Sequence, residues 1–299
     1  MKKIILFPSS IENINEVDPD YRNEHDSIMM AGYDFSARIF NYDDFIAGKP
    51  LKINWPINKL DHEQVSCIYR GWMMKPEQYE RFDLELFDKF NIALINTLAQ
   101  YENCHLFPLA YPNIKDFTPG CCWYDKEDIK DIDALDICSF FDKFMIKDYV
   151  KSVKGHDFPK FFIKSITQEK LSAAVKEFIQ LREPLYTGGI VFKQFVELQK
   201  YENIDATNEY RAFYFKDQLL SISPNSNQNE YTRKKSPIDL KFVKKFKNVF
   251  DNEFYTIDFA ELVTGEWTIL EVGDGQVSGL SPNQSPYIFY DQLSQFWND

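Results

Sequence analysis

The sequence lacks any run of about 18 apolar residues, so a membrane-spanning helix is not expected. The apolar run Ile4–Phe7 is too short for a secretory signal peptide and no small-residue cleavage site follows it, so a first β-strand is the better interpretation. Basic residues are also few, since 34 Lys and Arg stand against 46 Asp and Glu and give a net charge of −12. Nucleic-acid affinity comes mainly from Lys and Arg that neutralise phosphates, so a broad nucleic-acid-binding face is excluded, whereas a local basic nucleotide pocket is not.

Cysteine and histidine are scarce as well. The 5 cysteines include no Cys-x-x-Cys pair, which is typical of reduced thiols in a cytosolic protein, although the adjacent Cys121 and Cys122 could form a redox pair. The 4 histidines are scattered along the chain, so no Ser-His-Asp or Cys-His catalytic group is expected. We therefore expect a cytoplasmic protein without nucleophilic catalysis of these types.

The first part of the chain alternates strand and helix patterns, which predicts an α/β layer. Three short apolar runs are predicted as strands: Ile4–Phe7, Phe35–Phe40 and Val65–Tyr69. Pro76 suits the first turn of a helix that continues to about Phe90. The stretch Pro108–Asp133 is rich in proline and lacks periodicity, so we place a domain boundary there. It separates an N-terminal α/β domain (1–125) from a second domain (126–299).

The second part has a different pattern. Strands are predicted at Phe144–Lys147, Phe161–Lys164 and Ile190–Leu198. A loop with Lys151 and Ser152 joins the first two, and Thr167–Arg182 is predicted as an amphipathic helix with Thr167 as its N-cap. Two hairpins are predicted next, one formed by Glu209–Phe215 with Leu219–Ser223 and the other by Phe254–Val263 with Trp267–Val272. Helices are predicted at Leu240–Phe250 and at Tyr287–Trp297. The polar stretch Pro224–Pro237 is predicted as a loop.

The last hairpin carries a pair of carboxylates. A two-residue turn at Thr264-Gly265 pairs Val263 with Glu266, and antiparallel pairing then places Asp258 directly opposite Glu271. Two carboxylates so placed repel each other unless a cation lies between them, and Mg²⁺ prefers one or two carboxylates completed by phosphate oxygens and water. Alternatively both carboxylates face solvent, or Lys or Arg side chains neutralise them.

A second group of candidate residues consists of basic side chains that could bind phosphate. Glu209 and Arg211 are two apart on a strand and share one face, where Arg211 could bind a phosphate or pair with a surface carboxylate. Lys147 ends an apolar strand, and the loop with Ser152 that follows could point backbone N–H groups at a phosphate. The Lys147 side chain could add a positive charge there, or it could simply extend into water. Lys193 lies within an apolar strand, where a lysine is costly unless it meets an anion.

Taken in the order in which they occur along the chain, the segments from about Phe144 to Leu280 resemble the ATP-grasp superfamily. The motifs Asn208–Phe213 and Ile269–Gly275 are most similar to a divergent clade of bacterial and phage proteins. That clade also includes the cell-division-cycle family, which chaperones assembly of a translation initiation factor. The resemblance implies an ATP-grasp fold of mixed α/β class, with a small lobe at about 140–195 and a large lobe at about 196–299, and it implies ATP and Mg²⁺ as cofactors.

The resemblance also implies site residues. Those assigned to the nucleotide are Lys147, Lys151, Ser152, Lys164, Lys193, Gln194, Phe195, Val196, Glu197, Glu209 and Arg211. Asp258 and Glu271 would hold Mg²⁺, and Lys147 and Arg211 would act on the phosphates. ATP-grasp enzymes usually carry Asn two residues after the final acidic ligand, whereas this chain has Gly273, so Asp274 is a candidate for the missing ligand.

The activity implied is ligation of a carboxylate to an amine through an acyl phosphate, on a small-molecule, peptide or protein acceptor. Arg70 ends a predicted strand and could orient a substrate carboxylate across the domain junction, or it could form a structural salt bridge. Two other functions are consistent with the same residues. One is an ATP-binding assembly chaperone with little turnover, and the other is a kinase that stops after phosphoryl transfer.

Overall fold

The computed structural model describes residues 2–54, 63–153, 157–202, 206–224 and 237–298. Most of the predicted polar loop Pro224–Pro237 lies outside these residues. The helices of the described part are α1 Arg22–Ala31, α2 Tyr42–Ile46, α3 Pro76–Phe90, α4 Leu98–His105, α5 Phe107–Ile114, α6 Ala134–Phe140, α7 Gln168–Arg182, α8 Leu240–Val243 and α9 Pro286–Asn298.

Twelve strands are assigned within the described residues, and they form three sheets of four. The strands are β1 Lys2–Pro8, β2 Phe35–Phe40, β3 Val65–Tyr69, β4 Ile92–Leu94, β5 Cys121–Tyr124, β6 Lys143–Asp148, β7 Phe162–Ile163, β8 Ile190–Gln194, β9 Glu209–Phe215, β10 Gln218–Pro224, β11 Phe254–Glu261 and β12 Trp267–Asp274.

The first sheet is parallel, in the order β2-β1-β3-β4, and confirms the predicted α/β layer. Both of its faces are covered, because Ile4 and Leu6 of β1 pack into one hydrophobic cluster while Ile5 and Phe7 pack into another. Burial on both faces explains why these strands are continuously apolar. Helix α3 starts with Pro76 at its first turn, as predicted.

The second sheet has the order β5-β8-β6-β7, with antiparallel pairing. Helix α7 covers it with Leu171, Val175 and Phe178, and the Thr167 side chain accepts a hydrogen bond from the Lys170 N–H, which confirms the predicted N-cap. Strand β5 belongs to this sheet although it precedes the predicted domain boundary at 125. A division by sheet membership would therefore fall before Cys121.

The third sheet has the order β10-β9-β11-β12 and is entirely antiparallel. One face shares a hydrophobic cluster with the parallel sheet and α9, in which Phe213, Phe254 and Phe289 meet Ile5 and Phe7. The first and third sheets are therefore joined through a common core.

Several predicted elements differ from the structure. Pro108–Asp133 is not a simple connection, since it contains most of α5, all of β5 and a 3₁₀ helix at Lys126–Asp131. Pro112 lies inside α5, where the proline-based argument expected a break. The predicted helix Leu240–Phe250 is short, because α8 gives way to a 3₁₀ turn at Lys244–Phe246. Within the described residues, no helix has the length and apolar character to cross a membrane.

Candidate functional site

A cavity of about 420 Å³ lies between the second and third sheets. It brings together most of the residues predicted to bind nucleotide and metal. Its lining includes Lys147, Lys151, Ser152, Lys193, Gln194, Phe195, Val196, Glu209, Arg211, Asp258 and Glu271, with Pro119, Met145, Leu198 and Leu270. We call it the nucleotide cavity, after the ligand that the sequence predicts for these residues.

Asp258 and Glu271 are directly paired across β11 and β12, as predicted, but the route to this register is not the predicted one. The turn is longer by one residue, because Leu262 rather than Val263 pairs with Glu266 through a 2.8 Å bond. A bulge at Leu270 then shifts the register by one residue and restores the pairing of the two carboxylates. Two opposite errors in the sequence argument therefore cancelled.

The bulge also has a consequence for the cavity. The carbonyl of Leu270, which is left out of the regular pairing, accepts a hydrogen bond of 2.7 Å from Lys193 Nζ. Lys193 is buried, and its ammonium lies 4.4 Å from the ring centroid of Phe107. Burial and the nearby Lys147 charge lower the pKa of Lys193 to about 7. The chain thus holds a poorly solvated amine at the wall of the cavity, and a phosphate beside it would favour the protonated form.

Arg211 and Asp258 form a bidentate ion pair. They are cross-strand partners on β9 and β11, and Arg211 Nε and Nη2 donate to the two carboxylate oxygens at 2.8 and 2.7 Å. The remaining Nη1 donates to the carbonyl of Gly279 at 2.9 Å. Burial lowers and the Asp258 charge raises the pKa of Arg211, with a net rise. The pair fixes both planar groups in one orientation.

Glu271 is held by two lysines. Lys147 Nζ lies 2.8 Å from Oε1 and Lys151 Nζ lies 3.2 Å from Oε2. Lys147 comes from β6 and Lys151 from the turn after it, where the Asp148 carboxylate accepts the N–H groups of Val150 and Lys151. Both carboxylates of the hairpin are therefore neutralised by basic side chains, which was the alternative that the sequence left open.

The donor set fits magnesium and phosphate together. Among the described residues no group of three or more His, Cys, Asp and Glu could hold a metal, so an all-protein cage is absent there. Mg²⁺ is usually bound through one or two carboxylates with phosphate oxygens completing its shell. Asp258 and Glu271 could provide such carboxylates, and Lys147, Lys151 and Lys193 could provide counter-charges for phosphates.

Two residues predicted to bind the nucleotide, Lys164 and Glu197, lie outside this arrangement. Lys164 is exposed and pairs with Asp142 at 2.6 Å. The Glu197 carboxylate is exposed and pairs with Lys143 at 3.0 Å. Neither side chain lines the nucleotide cavity.

Arg70 is fully buried, and the structure gives it the structural role rather than the substrate role. Its guanidinium donates to Glu24 at 2.9 and 3.0 Å and to the carbonyls of Gly275 and Ser278 at 2.5 and 2.7 Å. Every nitrogen of the side chain is thus bonded within the protein. Arg70 lines neither the nucleotide cavity nor the larger cavity beside it, which is described below.

Asp274 is not brought to the metal position. Side chains three apart on a strand point to opposite faces, so Asp274 faces away from Glu271. Its buried carboxylate accepts from Asn96 Nδ2 at 2.5 Å and from the Gln276 N–H at 2.8 Å, and burial raises its pKa to about 7. Gly273 shares the Glu271 face, but a Cβ there would lie 3.0 Å from Ser278 Oγ and 3.2 Å from Thr256 Oγ1, so an Asn would need these hydroxyls to move.

A larger cavity of about 830 Å³ adjoins the nucleotide cavity. Lys151 and Arg211 line both, so the two cavities meet at the ion pairs. The wall opposite is formed by the N-terminal part of the chain, including Asp20, Trp72 and His105. We call it the acceptor cavity, after the substrate that we propose for it below. Sequence reasoning found none of these wall residues, because no local pattern marks them.

Comparison with known proteins gives an independent result. The family model described as ATP-grasp domain, R2K clade family 3, matches residues 134–298. A search of curated proteins finds no significant match.

Solved structures resemble the whole chain. D-cycloserine synthetase DcsG aligns with a TM-score of 0.57 at 12% identity, covering 99% of this chain and 99% of its own. VanG D-Ala:D-Ser ligase from Enterococcus faecalis aligns with a TM-score of 0.57 at 13% identity, covering 99% of this chain and 98% of its own. The ATP-grasp ligase PsnB, complexed with minimal precursor, Mg and ADP, aligns with a TM-score of 0.54 at 9% identity, covering 98% and 97%.

Such low identities show the fold alone, which is the predicted mixed α/β ATP-grasp fold. The family match, in contrast, spans more than half of the chain. The chain therefore belongs to the ATP-grasp domain family, R2K clade family 3.

Proposed function

We propose that the protein is an ATP- and Mg²⁺-dependent ligase that joins a carboxylate to an amine through an acyl phosphate. The observation that carries the proposal is the convergence of three lysines, Arg211 and two paired carboxylates in the nucleotide cavity, where Lys151 and Arg211 also line the acceptor cavity. Phosphoryl transfer requires mainly positioning and charge neutralisation, and these side chains suit both tasks.

The nucleotide cavity has two chemically different ends. Gln194, Phe195 and Val196 form a less charged end, where the backbone is fixed because the N–H groups of Gln194 and Phe195 donate to the carbonyls of Gly120 and Lys143 at 2.8 and 3.0 Å. This end suits an adenine ring. The lysines lie at the other end and suit the phosphates, with Ser152 beside them.

ATP would supply the transferred phosphoryl group, and Asp258 and Glu271 would hold Mg²⁺, which would neutralise charge on the phosphates. Arg211 lies at the junction of the cavities and would neutralise charge on the transferring group. A carboxylate oxygen in the acceptor cavity attacks the γ-phosphorus and ADP leaves. The amine then attacks the acyl carbon, phosphate leaves and the amine loses a proton.

The structural neighbours support ligation. One is a D-Ala:D-Ser ligase, and another is a ligase complexed with a precursor peptide, so both small-molecule and peptide substrates occur among proteins of this fold. We therefore propose a small-molecule or peptide acceptor for this chain. The relation to translation-initiation chaperones, which the motifs suggested, stays a prediction.

The test uses pools of amino acids and dipeptides whose carboxylates carry ¹⁸O. Acceptor-dependent release of ADP and of phosphate that contains ¹⁸O supports an acyl phosphate, because its oxygen comes from the carboxylate. Unlabelled phosphate contradicts that route. Nucleotide binding without turnover in any pool favours the chaperone alternative, and a stable phosphorylated acceptor favours the kinase.

A further inference from the structure

His105 is a polar side chain of the acceptor cavity to which the proposed function gives no role. It ends α4, is only 6% exposed and lines the cavity. Its ring nitrogens form no hydrogen bond within the described residues. The fully enclosed polar atoms without a partner in that part of the chain do not include them, so both nitrogens keep some accessible surface. A ligand in the cavity could therefore bond to the ring, and a buried polar group gains from such a partner.

The imidazole of His105 is held in place by ring stacking. It packs on Tyr101 with the ring centroids 4.6 Å apart and the planes inclined by 23°, and Tyr101 packs on Tyr79 at 4.0 Å and 10°. Both tyrosine hydroxyls donate to backbone carbonyls, that of Tyr101 to Met74 at 2.6 Å and that of Tyr79 to Asn96 at 2.7 Å. The stack fixes the plane of the imidazole and leaves the nitrogens at its edge without a partner.

The chain that follows His105 contacts the phosphate end of the nucleotide cavity. Phe107, two residues later, has its ring centroid 4.4 Å from Lys193 Nζ. The Phe107 N–H donates to the carbonyl of Tyr149 at 2.7 Å, and this bond ties the start of α5 to the turn that carries Lys151. The same short stretch therefore presents His105 to the acceptor cavity and Phe107 to the lysines of the nucleotide cavity.

The charges around His105 favour an anionic ligand. Burial and the charge of Lys151 lower the pKa of His105 to about 3, and no carboxylate of the described residues contributes to that shift. Asp20 and Asp26, which also line the cavity, therefore do not influence the ring. A neutral imidazole has one nitrogen that donates and one that accepts. An anionic oxygen near Lys151 is suited to accept the N–H of this ring.

We propose that His105 donates a hydrogen bond to the reacting carboxylate of the acceptor and, together with Lys151, holds it against the γ-phosphate. The inference rests on the proposed function, since it adds a substrate-binding residue to that reaction. The carboxylate must lie where the two cavities meet, because it attacks a nucleotide in the other cavity, and Lys151 lines both. His105 keeps its proton throughout, so the bonds made and broken in the two steps are unchanged.

The test measures release of phosphate that contains ¹⁸O, with the labelled amino-acid and dipeptide pools as probes at subsaturating concentration. His105→Phe keeps a flat ring for the stack but has no donor, and its rate should be roughly 10- to 100-fold lower, as expected for one lost hydrogen bond to a charged group. His105→Asn and His105→Gln place an N–H donor near the positions of Nδ1 and Nε2. At least one of them should restore part of the rate, whereas a purely structural role of the ring predicts that His105→Phe is the most active of the three.

The control is Asn103→Ala, because Asn103 lies on the same helix and lines neither the nucleotide cavity nor the acceptor cavity. It should keep the wild-type rate. A thermal shift produced by a Mg²⁺-bound, non-hydrolysable ATP analogue should be equal in wild type and in all four variants, because His105 does not line the nucleotide cavity. An equal shift shows that a variant is folded and that its nucleotide site is intact.

The failure of this inference is distinguishable from failure of the proposed function. Labelled phosphate released by His105→Phe at the wild-type rate, or lost equally in all three His105 variants, overturns the hydrogen bond while the ligase stands. A His105→Phe variant that loses the thermal shift as well contradicts a role confined to the acceptor. No labelled phosphate from wild type contradicts the ligase, and this inference falls with it.

Discussion

Replacing Glu271 with Gln tests whether the lysines exchange their carboxylate partner for phosphate when nucleotide binds. Lys147 Nζ and Lys151 Nζ lie 2.8 and 3.2 Å from the Glu271 oxygens, so a phosphate must compete with Glu271 for both ammonium groups. The variant removes that competitor, and it also removes a negative charge beside the phosphates. We therefore expect Glu271→Gln to bind ATP more tightly than wild type when EDTA removes divalent metal.

The size of the expected change in ATP affinity follows from the solvent exposure of the Lys151–Glu271 ion pair. The Lys151 and Glu271 side chains are 39% and 27% exposed, so solvent screens their pair and we take about 1 kcal/mol as the competition removed. That corresponds to roughly a fivefold lower Kd for ATP without metal. With Mg²⁺ the order of the two affinities should reverse, because the variant loses a proposed metal ligand, and we expect the variant to bind ATP roughly tenfold more weakly or worse.

Calorimetric titration with ATP, in EDTA and in Mg²⁺, measures both effects. Glu266→Gln is the matched control, because Glu266 is exposed near the turn of the same hairpin and its loss changes the net charge equally. It should leave both affinities within about twofold of wild type. Metal-free ATP binding that is unchanged or weaker in Glu271→Gln would refute the exchange.

Three further predictions follow. Arg211→Lys keeps the charge but loses the bidentate geometry, so turnover should fall by roughly 10²-fold while calorimetry shows little change in ATP affinity. Arg70→Met leaves Glu24 buried without its ion-pair partner and should cost about 3–5 kcal/mol in urea unfolding; normal stability with lost acceptor binding would instead restore the substrate role. Burial lowers the pKa of His105 from 6.5 to about 3, so its stabilisation, complete above pH 6.5, is lost as the pH falls towards 3. Between pH 6.5 and 5 the free energy of unfolding should fall by about 2 kcal/mol for this reason. His105→Phe should abolish this pH dependence of urea unfolding.

Elements with strong periodicity could be predicted from the sequence, because their patterns depend on local geometry. The parallel strands are buried on both faces, and helix α7 buries one stripe, so each leaves a clear apolar pattern. The pairing of Asp258 with Glu271 followed from strand geometry, but the bulge at Leu270 did not, since a bulge has no sequence signature here.

Tertiary contacts account for some of the errors, and an overlooked strand alternation accounts for another. The role of Arg70 depends on Glu24 and on carbonyls more than 200 residues away along the chain, which no local pattern reveals. Asp274 was assigned by resemblance, although the alternation of side chains along β12 already placed it on the opposite face from Glu271. Phe107, whose ring centroid lies 4.4 Å from Lys193 Nζ, is the first residue of α5, and the rest of that helix falls in the proline-rich stretch for which no helix was predicted.

The most direct test of the central claim is a thermal-shift titration with ATP, with and without Mg²⁺, on wild type and on Asp258→Asn/Glu271→Gln. A ligand that binds only the folded state must raise the melting temperature. We expect a Mg²⁺-dependent rise of the melting temperature in the wild type that the double variant loses. The absence of a shift in the wild type with ATP or any other nucleotide would contradict it.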